Sequence, residues 1–571
     1  MENQRHILLI GLIAILAVLY IKWTEFSTDP ANAIQTQATQ QAVQSDLPDL
    51  PVDANSQTSD ELPSLDVATS ESLPAIPELQ VVNDLSTVIT VETDMIVAHI
   101  NTVGGVIERL ELKEEPVSLE QPDQGFPLLH KTSNDIFVAQ DGLLSARKAP
   151  SHQTHYRSSQ SNYVLGAAEQ VKVPLTYVSE EGITFTKTLT FSSNSYVVAI
   201  DYAVLNGSDT AWTGYQYAQF SRSIPEDSGG GFGRLPSYTG AAIYSTEEKY
   251  QKIDFDDLDD LQKKPVNGKI GLQVETDNGW VAMLQHYFVG AWIPNDGVKK
   301  FYSSISTDGT KQYRVGLKDT QATVVQPGEV GQFSVRAYLG SKQQSRLKQL
   351  EDDGVDGLAL TVDYGMLTFI ADPLFTALTW FHKVVGNWGW AIILLTIAIK
   401  ALFYPLSAAS YRSMGKMRKL QPRLQTLKER YKDDRQKYQM EMMALYKKEK
   451  VNPAGGCLPM LIQIPVFIAL YWVLLESVEM RQAPFALWWQ DLSAKDPYYV
   501  LPVLMGLSMF FMQKLNPAPM DDIQKKVFMI MPFALTFLFM TFPQGLVLYW
   551  VVNNLLTMAQ QWFNYKQQES K

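Results

Sequence analysis

The chain changes its hydrophobic rhythm several times. A short basic start, "MENQRH", leads into an apolar run from Ile7 to Ile21, which Lys22-Trp23 close. A cleaved signal would need small residues just after such a run, and Tyr20-Ile21-Lys22-Trp23 stand there instead. Residues 1–23 are therefore expected to be a retained transmembrane anchor, with Lys22 and Trp23 at the interface. Residues 24–84 are rich in Gln, Ser, Thr, Pro, Ala and Asp, bury no core, and read as a disordered tether. No Lys or Arg occurs between Lys22 and Arg109, which places this stretch on the translocated side of a membrane.

From 85 to 345 the rhythm has period 2. "STVITVETDMIVAHINTVGGVIERLEL", "ITFTKTLTFSSNSYVVAIDYAVLNG" and "GWVAMLQHYFVGAWIP" alternate apolar and polar residues between Gly, Asn, Ser and Pro. That predicts a large all-β domain, sandwich or barrel.

After residue 364 the pattern turns helical and apolar. Residues 364–385, with few charges and a breaking Asp372-Pro373, read as an amphipathic interfacial helix. Candidate spans follow at Trp388 to Tyr404, Leu458 to Leu475, Tyr498 to Met512, Val527 to Phe542 and Gly545 to Met558, making six with the first. Several are shorter than the ~20 residues that cross hydrocarbon. Residues 412–452 carry the basic excess, including Arg412, Lys416, Arg418, Lys419 and Arg423, and should be cytoplasmic. Met414, Met417, Leu424, Leu427 and Tyr431, then Tyr438, Met442 and Leu445, predict a helical hairpin broken near Asp433-Asp434. Its outside is either a solvated face or a docking arm for anionic lipid heads or RNA-rich partners. Lys514, Lys525 and Lys526 mark a second cytoplasmic loop, "TFPQG" an outer turn, and both termini fall in the cytoplasm.

Composition adds little to this picture. The formal charge of −12 over 571 residues hides an acidic first part and a basic loop. The single cysteine, Cys457, excludes an internal disulfide and reads as a packing residue. The Gly-rich "EDSGGGFGR" lacks the strand–turn–helix setting of a phosphate cradle, and His152 and His155 have no acidic or thiol ligand nearby. Neither a metal nor a cofactor is expected, and no small-molecule substrate.

Lys400, inside "LLTIAIKALFYPL", is the exception that carries chemistry. A charge near mid-bilayer costs roughly 3 kcal/mol on insertion scales. Thr396, Lys400, Ser407 and Tyr411 fall along one stripe of a straight helix, which should face protein or water. Gln463, Tyr549, Trp550, Asn553 and Asn554 add polar groups in other spans, and no carboxylate falls inside the central spans. A hydrated groove and a lysine snorkelling to the cytoplasmic side are the two readings.

The run "EMMALYKKEKVNPAGGCLPMLIQIPVFIALYWVL", with "MRQAPFALWWQDLSAKDPYYVLPVLMG" and "FPQGLVLYWVVNNL", closely resembles the YidC membrane protein insertases. The "YPL" after Lys400 and "SMGKMRKLQP" fit the same family. The resemblance implies a bacterial inner-membrane protein: an anchor helix, a periplasmic β-supersandwich over 85–345, and an insertase core over 346–571. That core would hold the second span over 388–411, the hairpin over 412–452 and the remaining spans over 457–562, five helices beyond the anchor. It implies an insertase and chaperone that moves short polar segments of nascent membrane proteins through a hydrophilic groove, alone or beside the Sec translocon. Ribosome, signal recognition machinery and membrane lipids are the further partners. Lys400 stands at the groove cation, commonly Arg; Thr396 and Gln463 match groove positions; and Trp550 stands where a substrate-contacting tyrosine is frequent. The rival classes are a polytopic secondary transporter, which lacks an inverted repeat and paired carboxylates here, and a Ser–Lys protease. Lys400 and Ser407 on one helix would lie about 10 Å apart by rise, too far for proton transfer.

Overall fold

The computed structural model describes residues 88–225, 238–264, 270–295, 297–307, 310–432, 434–449, 451, 458–515 and 522–569. The expected anchor and tether, the "EDSGGGFGR" loop and Cys457 lie outside these residues. Two compact units divide the described chain, one running to Val362 and the other from Asp363. The boundary thus falls after residue 345, because a helix and a short 3-10 turn complete the first unit.

The first unit is built from strands β1 (Val88–Glu92), β2 (Ile96–Asn101), β3 (Val106–Ser118), β4 (Gln121–Lys131), β5 (Ile136–Leu144), β6 (Asn162–Val164), β7 (Gln170–Val178), β8 (Ile183–Ser192), β9 (Val197–Asn206) and β10 (Trp212–Arg222). It continues with β11 (Gly240–Tyr244), β12 (Gln251–Ile253), β13 (Gln273–Thr276), β14 (Trp280–Leu284), β15 (Phe288–Pro294), β16 (Lys299–Ser306), β17 (Gln312–Asp319), β18 (Thr323–Val325) and β19 (Val330–Ser341). Helix α1 (Phe255–Lys263) lies between β12 and β13, and α2 (Gln344–Asp352) follows β19.

One sheet has the order β13-β16-β17-β10-β5-β4-β3-β2-β1-β6, with β18 on β10; the other runs β12-β11-β14-β15-β19-β9-β8-β7. All pairings are antiparallel except β1 with β6. Period-2 alternation produces the sandwich: one face of each strand turns inward. Phe185 meets Trp212 edge-on with ring centres 5.5 Å apart, Trp212 meets Phe333 at 6.0 Å, and Phe220 lies 5.3 Å from Trp292. These rings join the two sheets across the core.

The polar side chains buried in this unit include an ion pair and a histidine. Lys187 and Asp141 form a fully buried ion pair at 2.7 Å. His152, which the sequence places in a polar loop, is buried instead: its backbone N–H donates to the Tyr217 hydroxyl at 3.1 Å, and that hydroxyl lies 2.6 Å from Nδ1. Burial first, then the charges of Arg314 and Lys187, push its pKa down to about 4. An imidazole held neutral when folded and free to protonate when unfolded makes stability rise with pH between the two values. The β unit is therefore expected to lose about 3 kcal/mol as the pH falls from ~6.5 to ~4, with no further loss from this group below that. Urea denaturation of parent and His152→Gln at several pH values checks it: the variant's midpoint should vary less over this window.

The second unit is helical: α3 (Thr368–Val385), α4 (Trp388–Leu402), α5 (Tyr404–Arg430), α6 (Arg435–Lys448), α7 (Leu458–Glu476), α8 (Val500–Leu515), α9 (Asp522–Phe539) and α10 (Gln544–Glu569). α10 packs on α4, α5 and α8, α3 packs on α4 and α7, and α8 packs on α9. At Gly506 a Cβ would fall 1.9 Å from the Thr536 hydroxyl oxygen, so α8 and α9 approach where only glycine fits.

The helix expected over 388–411 is broken. α4 ends at Leu402 and α5 leaves it at 65°. Pro405 is the cause: it has no N–H to give to the Ala401 carbonyl, and its ring crowds that oxygen. Among the described residues no single helix is long and apolar enough to cross a membrane, but the bent pair α4–α5 meets that test together. Three shorter apolar helices, Gln463–Glu476, Val500–Leu515 and Met529–Phe539, accompany it.

Candidate functional site

The site forms where α4, α7 and α10 meet. Asn387 starts α4 by accepting the Trp390 N–H at 3.1 Å, and the Pro405 break ends it, so Lys400 lies in its last turn. A cation there is favoured by the negative end of the helix dipole, by up to ~2 kcal/mol when partly buried. The Lys400 ammonium donates to the Thr557 hydroxyl at 2.8 Å and to Gln463 Oε1 at 3.3 Å. Gln463 Nε2 in turn donates to the Tyr549 hydroxyl at 3.4 Å and to Asn553 Oδ1. Thr557 gives its own proton to the Asn553 carbonyl at 2.6 Å, which fixes its oxygen as an acceptor for Lys400. Gln560 closes the ring by donating to the Lys400 carbonyl at 3.3 Å.

Tyr549, Asn553 and Thr557 recur every fourth residue, so one face of α10 presents all three. Lys400 is 7% exposed and forms no ion pair among the described residues. Among the described residues its charge is held by neutral oxygens.

The sequence-expected residues separate into groups. Lys400, Gln463, Tyr549 and Asn553 come together. Thr396 lies one turn before Lys400, buried, with its hydroxyl spent on the Ile392 carbonyl at 2.7 Å. Ser407 is buried in the first turns of α5, beyond the break, and makes no hydrogen bond to the cluster. The straight stripe through Thr396, Lys400, Ser407 and Tyr411 is therefore a bent one, because Pro405 redirects the chain. Trp550 points into an aromatic group instead, 4.5 Å from Phe467 and 5.0 Å from Phe539 between ring centres. Thr557 and Gln560 were not expected.

Arg412, Lys416, Arg418, Lys419 and Arg423 are all exposed along α5. Arg423 pairs with Glu449 at 2.7 Å. The α5–α6 hairpin has its own small core of Leu420, Leu424, Tyr446 and Val451, flanked by Met417, Met442 and Leu445. This core is shifted from the expected seam, since Met414, Leu427 and Tyr431 stay half-buried. Asp434 caps α6 by accepting the Lys437 N–H at 2.9 Å. Among the described residues no group of three or more His, Cys, Asp or Glu side chains is placed to hold a metal ion.

The structure thus joins a β-rich unit to a helical unit that holds an apolar bent helix pair. Two family models match the chain in succession: one described as "YidC periplasmic domain" over residues 88–377, and one described as "60Kd inner membrane protein" over 380–571. The chain is 46% identical over 578 residues to a membrane protein insertase YidC of Nitrosococcus oceani, covering 100% of both chains. It is 42% identical over 568 residues to the one of Pseudomonas fluorescens, covering 99% of this chain and 98% of that protein. A crystal structure described as an active YidC insertase with its first transmembrane domain resolved aligns with 83% of this chain and 94% of that one. Its identity of 19% and TM-score of 0.38 carry no weight beside the sequence relatives. The chain belongs to the YidC family of membrane protein insertases. It is a non-enzymatic inner-membrane protein that acts on nascent membrane proteins.

Proposed function

We propose that the Lys400 cluster is the polar site that receives the translocated segments of nascent membrane proteins. One observation carries this reading: the Lys400 ammonium is held by Thr557 and Gln463, and no carboxylate among the described residues neutralises it. A cation retained at such expense attracts acidic or polar chain, and the amides of Gln463 and Asn553 can exchange their mutual hydrogen bond for bonds to a passing peptide. Two neighbouring helices are short: α4, which carries Lys400, has 15 residues, and α8, which packs on α10, has 16. The 16 residues of α8 rise only about 24 Å, against a hydrocarbon core of about 30 Å, so the adjacent bilayer thins or stays partly wet. The substrate's own apolar helix then supplies the driving force as it slides into lipid, helped by about 2.3 kcal/mol per charge per 100 mV of membrane potential.

In this reading six spans place both termini in the cytoplasm, with the basic α5–α6 hairpin there as the docking arm for ribosome, signal recognition machinery and anionic headgroups. The Sec translocon is the partner for larger substrates. A photocrosslinker at position 550 is expected to capture a stalled nascent chain, whereas one at Val178, exposed on the β unit, is not. Capture from 178 with none from 550 would defeat the proposal.

A further inference from the structure

The connection from α7 to α8, residues 481–499, presents apolar side chains on a rigid frame. Leu487 stands at its tip, 71% exposed, with Trp488, Tyr498 and Tyr499 also exposed. Leu487 and Tyr499 hold φ at 55°, a left-handed conformation that glycine takes at far less cost. A branched or aromatic residue kept there points to a use for the side chain itself. Hydrogen bonds close the frame: the Phe485 N–H donates to the Trp489 carbonyl at 2.8 Å, the Trp489 N–H to that of Ala486 at 3.0 Å, and Gln490 Nε2 to that of Leu487 at 2.5 Å. Trp488 meets Tyr498 edge-on with ring centres 5.7 Å apart.

The loop is tied to the starts of two helices of the Lys400 cluster. Asn387, the cap of α4, donates to the Pro484 and Phe485 carbonyls, each at 3.1 Å, and the Phe485 ring fills the space where a Cβ on Gly389 would fall. Gln544 and Gly545, which begin α10, donate their N–H groups to the Ala494 and Leu492 carbonyls at 2.8 and 2.9 Å. Three features say what covers the tip. Tryptophan and tyrosine around an aliphatic residue are the composition of the belt where a membrane protein meets headgroups. The patch runs on into α8, where Val503, Leu504, Leu507, Phe510 and Phe511 are exposed, and the surroundings of such a helix in an inner-membrane protein are lipid. The loop's acids are spent on its own backbone: Asp491 accepts from Ser493 and Ala494, and Asp496 from Tyr498 and Leu501. Lys495 stays exposed, and its charge suits a phosphate surface.

We propose that this tip is a bilayer anchor: Leu487, Trp488 and Tyr498 seat in the headgroup–acyl boundary of a phospholipid membrane and fix the depth of α4 and α10. Lys400 then lies about 18 Å along α4 from Trp388, and Thr557 about 20 Å along α10 from Gln544. One anchor thus brings these two hydrogen-bonded groups to the same level, a little past the middle of a hydrocarbon core about 30 Å thick. This goes beyond the substrate site and stands whether or not Lys400 receives substrate.

The test places an environment-sensitive fluorophore at Leu487→Cys in the full chain carrying Cys457→Ser, reconstituted into vesicles of phosphatidylethanolamine and phosphatidylglycerol. Lipid with a nitroxide near the headgroup is expected to quench the label at least threefold more than aqueous iodide does. The reverse ranking would overturn the anchor. A label open to iodide in these vesicles but shielded in native membranes would mean a protein partner and overturn it as well. A second label, at Ile397→Cys on the exposed side of α4, reads depth. With Leu487→Asn and Trp488→Gln the loop is expected to rise toward water and carry α4 with it. Quenching at 397 by a deep nitroxide, relative to a shallow one, should then fall at least 1.5-fold. An unchanged ratio would overturn the depth-setting role.

Discussion

Replacing Lys400 by glutamate is expected to reduce insertion of substrates with acidic translocated segments by at least tenfold, and replacing it by alanine by several-fold. Lys400→Arg is expected to stay within about twofold of the parent. The ordering follows from charge. At an effective dielectric near 20, opposite charges 4 Å apart attract by about 4 kcal/mol, and water in a partly wet furrow lowers this to roughly 1–2. Each 1.4 kcal/mol is about a factor of ten in rate. Alanine removes the attraction, and glutamate turns it into repulsion. Arginine restores it with a longer, planar head that still reaches the Thr557 hydroxyl and Gln463 Oε1. Protease protection of a small single-span protein inserted into reconstituted vesicles measures the effect. Substrates with neutral translocated segments should show much smaller differences across the three variants. Equal activity of all three on acidic substrates would mean that the ammonium only holds α4, α7 and α10 together.

That alternative role also explains which parts of the site the sequence made legible. Lys400, Gln463 and Asn553 stand out because each is strongly polar inside an apolar run. Thr557 does not stand out. Threonine is nearly neutral in hydropathy and satisfies itself inside a helix by donating four residues back, as Thr557 does to the Asn553 carbonyl. The signal that would have found it is spacing, since it continues the four-residue step from Tyr549 and Asn553. The break at Phe403 was equally available, because Pro405 in the middle of an apolar run denies one helical hydrogen bond.

In the β unit the alternation marked strands such as β1, β8, β9, β14 and β15, but not their order. β10 pairs with β5 and β17, some 70 and 100 residues away in sequence, and local pattern says nothing of such partners. The buried His152 was hidden for a related reason: its partner, Tyr217, comes from β10, 65 residues further on.

Removing one member of the Lys187–Asp141 pair is expected to destabilise the β unit by about 3–5 kcal/mol, the cost of leaving a buried charge uncompensated. The pair is completely satisfied in the folded chain. Lys187 Nζ donates to Asp141 Oδ2 at 2.7 Å, to the Gly105 carbonyl at 2.8 Å and to the Gly104 carbonyl at 3.3 Å, while the Tyr202 hydroxyl donates to Asp141 Oδ1 at 2.6 Å. Burial pulls the Lys187 pKa down against the opposing pull of Asp141, so the ammonium depends on its partner to stay charged. Lys187→Met strands the carboxylate with one hydroxyl and leaves the Gly104 and Gly105 carbonyls without a donor. Asp141→Leu strands the ammonium. The double variant Lys187→Met/Asp141→Leu removes both charges and is expected to recover at least half of the loss, because a well-packed apolar pair of similar volume is frequently as stable as a buried ion pair. Urea titration of the full chain, followed by fluorescence from the core tryptophans Trp212 and Trp292, reads the three midpoints. Additive losses in the double variant would show that the two side chains act through the carbonyls and hydroxyl around them and not through each other. The carbonyl of Gly105 would then be the group that ties β8 to the turn between β2 and β3, and Lys187→Met alone should loosen that turn.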